Sequence, residues 1–157
     1  MDIFSVLHQD HEAVANIFRK IETMKGKNAS PETREQLFKE LYMELSLHAD
    51  VEEEIVYPVF EDNSETEDIV NESLQEHEEI ESLLNELKDM RPDSSDWMAK
   101  IGELKQEVEH HVREEEQNLF PRARKIIGEG EAQELAETFQ TAKDELRGQR
   151  SGHKTAT

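Results

Sequence analysis

Apolar residues recur along this chain at alternating spacings of three and four, the rhythm of helices that bury one stripe in a bundle. The first stripe reads Phe4, Leu7, His11, Val14, Phe18, Ile21, and the second Phe38, Leu41, Leu45, His48, Glu52, Ile55, Val59. The third reads Val70, Leu74, His77, Ile80, Leu84, Leu87, and the fourth Trp97, Ile101, Leu104, Val108, His111, Glu115. Val and Ile form no alternating runs, so no strand is expected. Punctuation fits the same four segments. Gly26-Lys27-Asn28-Ala29 stops the first helix, and Ser30 before Pro31 caps the second, which runs to about Pro58. Ser64 with Glu67 reads as the capping box of the third, and Ser94 or Ser95 opens the fourth, which reaches Pro121. Short connections favour antiparallel neighbours, so the expected fold is all-α, an up-down-up-down four-helix bundle. Leu135, Phe139, Ala142 and Leu146 predict an extra helix from Glu131 to about Arg147, packed on the bundle or on a second subunit. The expected organisation is a bundle over 1–127, a C-terminal helix within 128–147 and a disordered tail over 148–157, which includes His153.

Each of the four apolar stripes is interrupted by a ligand-type residue. A lone His on such a stripe is more often a hydrogen-bonded core group than a ligand. Four His and two Glu in one interior layer are harder to explain, because unpaired buried charges cost several kcal/mol each. Divalent cations remove that cost. The stretches HADVEEEIVYP from His48 and HVREEEQNLFP from His111 repeat one pattern, and in each a His and a Glu four residues later share a helix face. LHQDHE around His11 likewise resembles LQEHE around His77. The chain therefore reads as a helical hairpin used twice. The expected ligands are His11, His48, Glu52, His77, His111 and Glu115, with the two carboxylates bridging two metals and two imidazoles on each. Imidazole with carboxylate suits iron and manganese, with zinc as a third option.

Neighbouring residues receive blander expectations. His110 competes with His111 for the fourth-helix role but is expected on the helix flank, and His8, one turn before His11 and a further ligand candidate, is expected to be partly exposed. Glu53 and Glu116 are expected mainly as solvated surface, with hydrogen bonding to ligands as their other role. Glu81 shares the HxxxE spacing with His77. Tyr57 and Phe120 pack at helix ends, although a phenol beside a metal pair has a redox option.

Composition narrows the function classes. The 157 residues carry a formal net charge of −20, which opposes binding to nucleic acid or an anionic membrane. There is no Cys, hence no disulfide or thiolate site, and no apolar run near the ~20 residues needed to span a bilayer. Cytoplasmic residence is the expectation. No catalytic triad, phosphate loop or dinucleotide fingerprint is present, so no side-chain nucleophile is expected.

In order and spacing, His11, His48-xxx-Glu52, His77 and His111-xxx-Glu115 resemble the hemerythrin-like, or HHE cation-binding, family over roughly residues 1 to 127. The resemblance implies a non-haem di-iron centre with two carboxylate-bridged iron ions inside the bundle. It implies binding, sensing or reaction with dioxygen, peroxide or nitric oxide, with peroxide or nitric oxide removal as the enzymatic form. The alternative is an iron-binding or iron-responsive protein without turnover. A monomer or weak homodimer is expected. Oxygen-carrying members place a further His on the third helix and HxxxxD on the fourth. Here Ser73 and Glu81 flank His77, and the fourth helix carries HxxxE, which argues against reversible oxygen carriage.

Overall fold

A computed structural model describes residues 1–24 and 30–155. The expected stop at Gly26 to Ala29 lies outside the described residues, as does the His153 side chain. The architecture is the expected antiparallel four-helix bundle with an additional C-terminal helix. Helix α1 spans Ile3–Thr23, α2 Pro31–Val51, α4 Ser64–Lys88 and α5 Ser95–Glu114. Two π-helical segments, π1 (Glu52–Val56) and π2 (Glu115–Leu119), extend α2 and α5 into the short helices α3 (Tyr57–Phe60) and α6 (Phe120–Ile126). Helix α7 spans Glu129–Thr155.

Most ends are capped as their residues predict. Ser30 accepts from the Thr33 N–H with Pro31 in the first turn, and Ser94 accepts from the Trp97 N–H. The third long helix departs from expectation. Its N-cap is Asn63, whose side-chain oxygen accepts from the Glu65 N–H at 2.9 Å, so Ser64 is already helical. Asn caps as well as Ser, and Asn63 is extended at φ −135°, leaving its amide oxygen free to reach forward.

The π turns were not expected, and they move the second stripe. Pro58 has no N–H, and its ring would meet the carbonyl of Glu54 in a continuous α-helix. The turn widens instead, and the Tyr57 N–H bonds back to the Glu52 carbonyl, five residues away. Pro121 acts alike, with the Phe120 N–H on the Glu115 carbonyl. The extra residue in each turn rotates the next helical segment about its axis. Val56, Tyr57 and Phe60 are fully buried, whereas the expected Ile55 and Val59 are only partly so.

Two apolar cores result. One lies toward α7 and holds Phe4, Leu7, Tyr57, Phe60, Phe120 and Phe139; the other lies toward the far end and holds Phe18, Phe38, Leu41, Leu84, Trp97 and Leu104. Each fully buried side chain of this kind contributes about 1.5–3 kcal/mol. The polar residues of the four stripes occupy the layer between them.

Helix α7 lies against α1, α2 and π1, burying Ala132, Leu135, Ala136 and Phe139. It is longer than the expected Glu131–Arg147 at both ends and runs through Gly148, where a disordered tail was expected. Arg147 pairs with Glu44 at 2.8 Å and Arg150 pairs with Asp50, so the late turns are held on α2 by charge. No helix among the described residues is long and apolar enough to cross a membrane.

Candidate metal centre

Helices α1, α2, α4 and α5 each deliver one imidazole to the polar layer, and the two π turns deliver one carboxylate each. His11, His48 and Glu115 form one compact group; Glu52, His77 and His111 form a second, with ligand-type atoms mutually within 4.8 Å in each. Glu52 and Glu115 are fully buried, and each lies between the groups. Glu52 Oε1 is 3.4 Å from His48 Nε2 and 3.3 Å from His77 Nε2. Glu115 reaches His11 Nε2 at 3.1 Å through Oε1 and His111 Nε2 at 3.5 Å through Oε2. Within the second group, the Nε2 atoms of His77 and His111 are 3.1 Å apart.

The outward nitrogen of every imidazole is tied to a carboxylate. Nδ1 of His11 donates to Glu116 at 2.6 Å, that of His48 to Asp10 at 2.8 Å, that of His77 to Glu53 at 2.8 Å and that of His111 to Glu76 at 2.8 Å. The pattern is crossed. The acid before the first His of each hairpin holds the second His of that hairpin, and the acid after each inner Glu holds the first His of the other. Such bonds fix the Nδ1–H tautomer and leave Nε2 as the inward lone pair.

Five of the inward atoms lack hydrogen-bond partners. His11 Nε2, His48 Nε2, both Glu52 oxygens and Glu115 Oε1 are buried without a properly aligned partner, although ion-pair distances are short. An unsatisfied buried polar group costs about 1–3 kcal/mol, so five converging on one point need an explanation. Cations at the two groups supply one, and a donor set of imidazole and carboxylate oxygen fits first-row divalent ions.

Without a cation, the imidazoles turn to the acids. Burial alone would lower the pKa of His11, but the adjacent Glu115 carboxylate and the hydrogen bond to Glu116 raise it to about 9. Burial likewise opposes charge on His48 and His77, yet attraction to Glu52 and bonds to Asp10 and Glu53 raise both to about 10. Burial would raise Glu52, and the His48 and His77 charges hold it well below the ordinary carboxylate range. Asp10 and Glu76 are lowered in the same way, against burial, by His48 with Lys143 and by His111 with His110.

Tyr57 is part of this layer and not merely helix-end packing. Its hydroxyl donates to Glu115 Oε2 at 2.5 Å and lies 3.4 Å from His77 Nε2, with the ring stacked on His77. Burial, then the nearby Glu115 and Glu52 charges, push its pKa well above the usual value, so it remains a donor. Of the other named neighbours, His8 is exposed and contacts Glu116 and Glu12; Glu81 is exposed; Phe120 stacks on His11. Glu53 and Glu116 hold imidazoles and do more than line a solvated surface. Sequence reasoning did not single out Asp10 and Glu76, yet the repeated acid-His pairs Asp10-His11 and Glu76-His77 carried the signal. No repeat pointed to Lys143.

An apolar cavity of about 40 Å³ adjoins the imidazoles, walled by Val14, Leu45, Ala49, Ile80, Val108 and Val112. Since about 10–15 Å³ of such space suffices for one water, it has room for a molecule of a few atoms.

The hemerythrin HHE cation-binding domain family matches residues 2–123. A DNA nickase of Nostoc is 27% identical over 158 aligned positions, which take in 99% of this chain and 43% of the nickase; the chain thus spans less than half of that relative. A hemerythrin-like protein of Schizosaccharomyces pombe is 24% identical, covering 90% of this chain and 68% of its own length. A crystal structure of a hemerythrin HHE cation-binding domain protein from Mycobacterium kansasii superposes with a TM-score of 0.83, over 95% of this chain and 89% of that one, at 24% identity. That likeness establishes the fold.

Proposed function

The chain belongs to the hemerythrin HHE cation-binding family, and on that premise we propose that it holds two iron ions and binds, senses or reacts with dioxygen, peroxide or nitric oxide. His11 and His48 serve one ion, His77 and His111 the other, and Glu52 and Glu115 serve both. The observation that carries this reading is the convergence of unpartnered Nε2 and carboxylate atoms, each imidazole locked from behind by an acid. When bound, an iron pair supplies one-electron redox chemistry and open positions for a small ligand.

The protein supplies the setting. The two apolar cores flank the layer on either side, and the small cavity lies beside the imidazoles. Nδ1 bonds keep each imidazole in one tautomer, while the Tyr57 hydroxyl directs its proton at Glu115. Manganese or zinc is the less favoured choice, and zinc offers no redox exchange with small oxidants.

DNA enters only through the nickase relative. A net charge of −20 opposes phosphate contact, and the matched span is the smaller part of that protein. Anaerobic loading with ferrous iron, followed by metal analysis and visible absorption after oxygen, peroxide or nitric oxide, tests the reading. Two irons per chain with a ligand-dependent charge-transfer band are expected; repeated peroxide or nitric oxide consumption would mark turnover. Iron that binds but stays spectroscopically inert to all three leaves an iron-binding protein, and no uptake removes the proposal.

A further inference from the structure

Two oxygens of one carboxylate join the C-terminal helix to the centre. Lys143 is 6% exposed, near the middle of α7, and its ammonium donates to Asp10 Oδ1 at 2.7 Å. Asp10 Oδ2 in turn accepts the His48 Nδ1–H at 2.8 Å. With one oxygen held by Lys143 and the other by His48, the carboxylate cannot swing away without breaking a charge-assisted bond. Glu44 stands 3.6 Å from the same ammonium and is itself held by Arg147 at 2.8 Å, so α7 and α2 close around the contact. The Phe139 ring meets the His48 ring edge-on at 5.9 Å, one helical turn before Lys143.

The duplicated half has no such brace. Glu76 holds His111 through Oε1 at 2.8 Å, but its other oxygen meets His110 Nε2 at 3.2 Å, a side chain 51% exposed. Glu53, which holds His77, is 41% exposed and borders a groove of about 1020 Å³ between α2, α4 and the end of α7. The two metal positions therefore differ at one imidazole of each: a buried ion pair under a helix stands behind His48 and a carboxylate 41% exposed behind His77, while Glu116 behind His11 is part-exposed and Glu76 behind His111 is buried.

We propose that α7 is part of the metal-binding apparatus, with Lys143 as a positioning residue that fixes Asp10 and, through it, His48, so that the His11–His48–Glu115 position retains its ion more firmly than the Glu52–His77–His111 position. The inference rests on the two-metal reading. Groups behind a ligand typically change metal affinity 10- to 100-fold, and Lys143 stands one contact further back, so an effect near the lower end, about 10-fold, is expected.

The test compares the wild-type chain with Lys143→Met, Lys143→Arg and His110→Ala, each loaded anaerobically with ferrous iron and challenged with a ferrous chelator. Wild type should release its two irons in two phases. Lys143→Met should speed the slow phase about 10-fold, Lys143→Arg should restore much of it, and His110→Ala should leave it unchanged. In the metal-free protein, the downfield proton resonance of the His48 Nδ1–H should shift or broaden in Lys143→Met while that of His111 stays in place. Equal loss of both phases in proportion to a lower melting temperature would make Lys143 a merely structural contact, and an unchanged slow phase would also overturn the proposal. If wild type takes up no iron, the two-metal reading fails; the His48 resonance would still show whether Lys143 positions that imidazole.

Discussion

The two hairpins of this molecule carry the same residues for the same purpose and end in different surroundings. In the first, His48 is covered by Phe139 and backed by Asp10 and Lys143 beneath α7. In the second, the equivalent His111 is backed by Glu76 and an exposed His110, and His77 by a Glu53 that faces an open groove. The repeat accounts for the six residues of the polar layer, and the single non-repeated helix accounts for the asymmetry. A duplicated site need not be a symmetric one, because whatever packs against one copy changes the burial and the partners of that copy alone.

The strongest way to erase the difference is to remove what both halves share. Glu52→Ala or Glu115→Ala should abolish paired metal uptake. Either should also cost the metal-free protein about 3–5 kcal/mol at pH 7, because two buried imidazoles lose the carboxylate on their inward side. Metal analysis and chemical denaturation read the two effects, and retention of two ions would contradict the bridging role. Phe139→Ala should break the covered half selectively. A fully buried Phe truncated to Ala costs about 3–5 kcal/mol, and amide exchange should rise in α1, α2 and α7 before α4 and α5. Uniform exchange over all five helices would mean that α7 does not distinguish the hairpins.

Acidity offers a milder handle. His11, His48 and His77 have native pKa values raised to about 9, 10 and 10 in the metal-free state. Raised values mean that their stabilisation is fully present below the unfolded value of 6.5 and disappears as pH climbs through 9 to 10. Glu52 is depressed, so its share is present above 4.5 and lost on acidification. The metal-free protein should therefore lose stability on both sides of neutrality, by a few kcal/mol overall, since a tenfold change in proton affinity corresponds to about 1.4 kcal/mol. Melting curves across pH read both limbs. Metal requires neutral imidazoles, so binding at pH 7 should release protons from these three residues and flatten the alkaline limb. Calorimetry in buffers of different ionisation enthalpy would detect the release; buffer-independent heats would refute it.

Matched substitutions behind the ligands sharpen the contrast further. Asp10→Asn and Glu53→Gln each replace the charged acceptor on an imidazole with a neutral amide oxygen, and each should weaken its own metal position about 10-fold or more. The Asp10 change should be the larger, since one amide oxygen cannot serve both His48 and Lys143. Chelator competition ranks the two, and equal losses would remove the asymmetry. The smallest effect is expected from His8→Ala, an exposed site: within about 0.5 kcal/mol in stability and no change in iron content.

Much of this was legible without coordinates. The stripes through Leu7, Leu41, Leu84 and Leu104 announced the bundle, since a helix rotates about 100° per residue and buries one face. His48-xxx-Glu52 and His111-xxx-Glu115 stood out because four residues return to that face. Periodicity misled just past those motifs. It pointed to Ile55 and Val59 as core where Val56 and Phe60 are, because a π turn adds a residue that regular spacing cannot anticipate, although Pro58 and Pro121 marked both places. Tyr57 was expected at a helix end, whereas the same turn swings its phenol onto Glu115.

The amino-acid order by itself determined the helices, their antiparallel arrangement and the six residues that share the interior layer, since each follows from spacing within one segment. Only the folded structure decided that Asp10 faces His48, that Glu53 faces His77 across hairpins, and that Lys143 reaches inward from α7. Those pairings join residues far apart in sequence, and their energies depend on distance and burial, which no local pattern encodes.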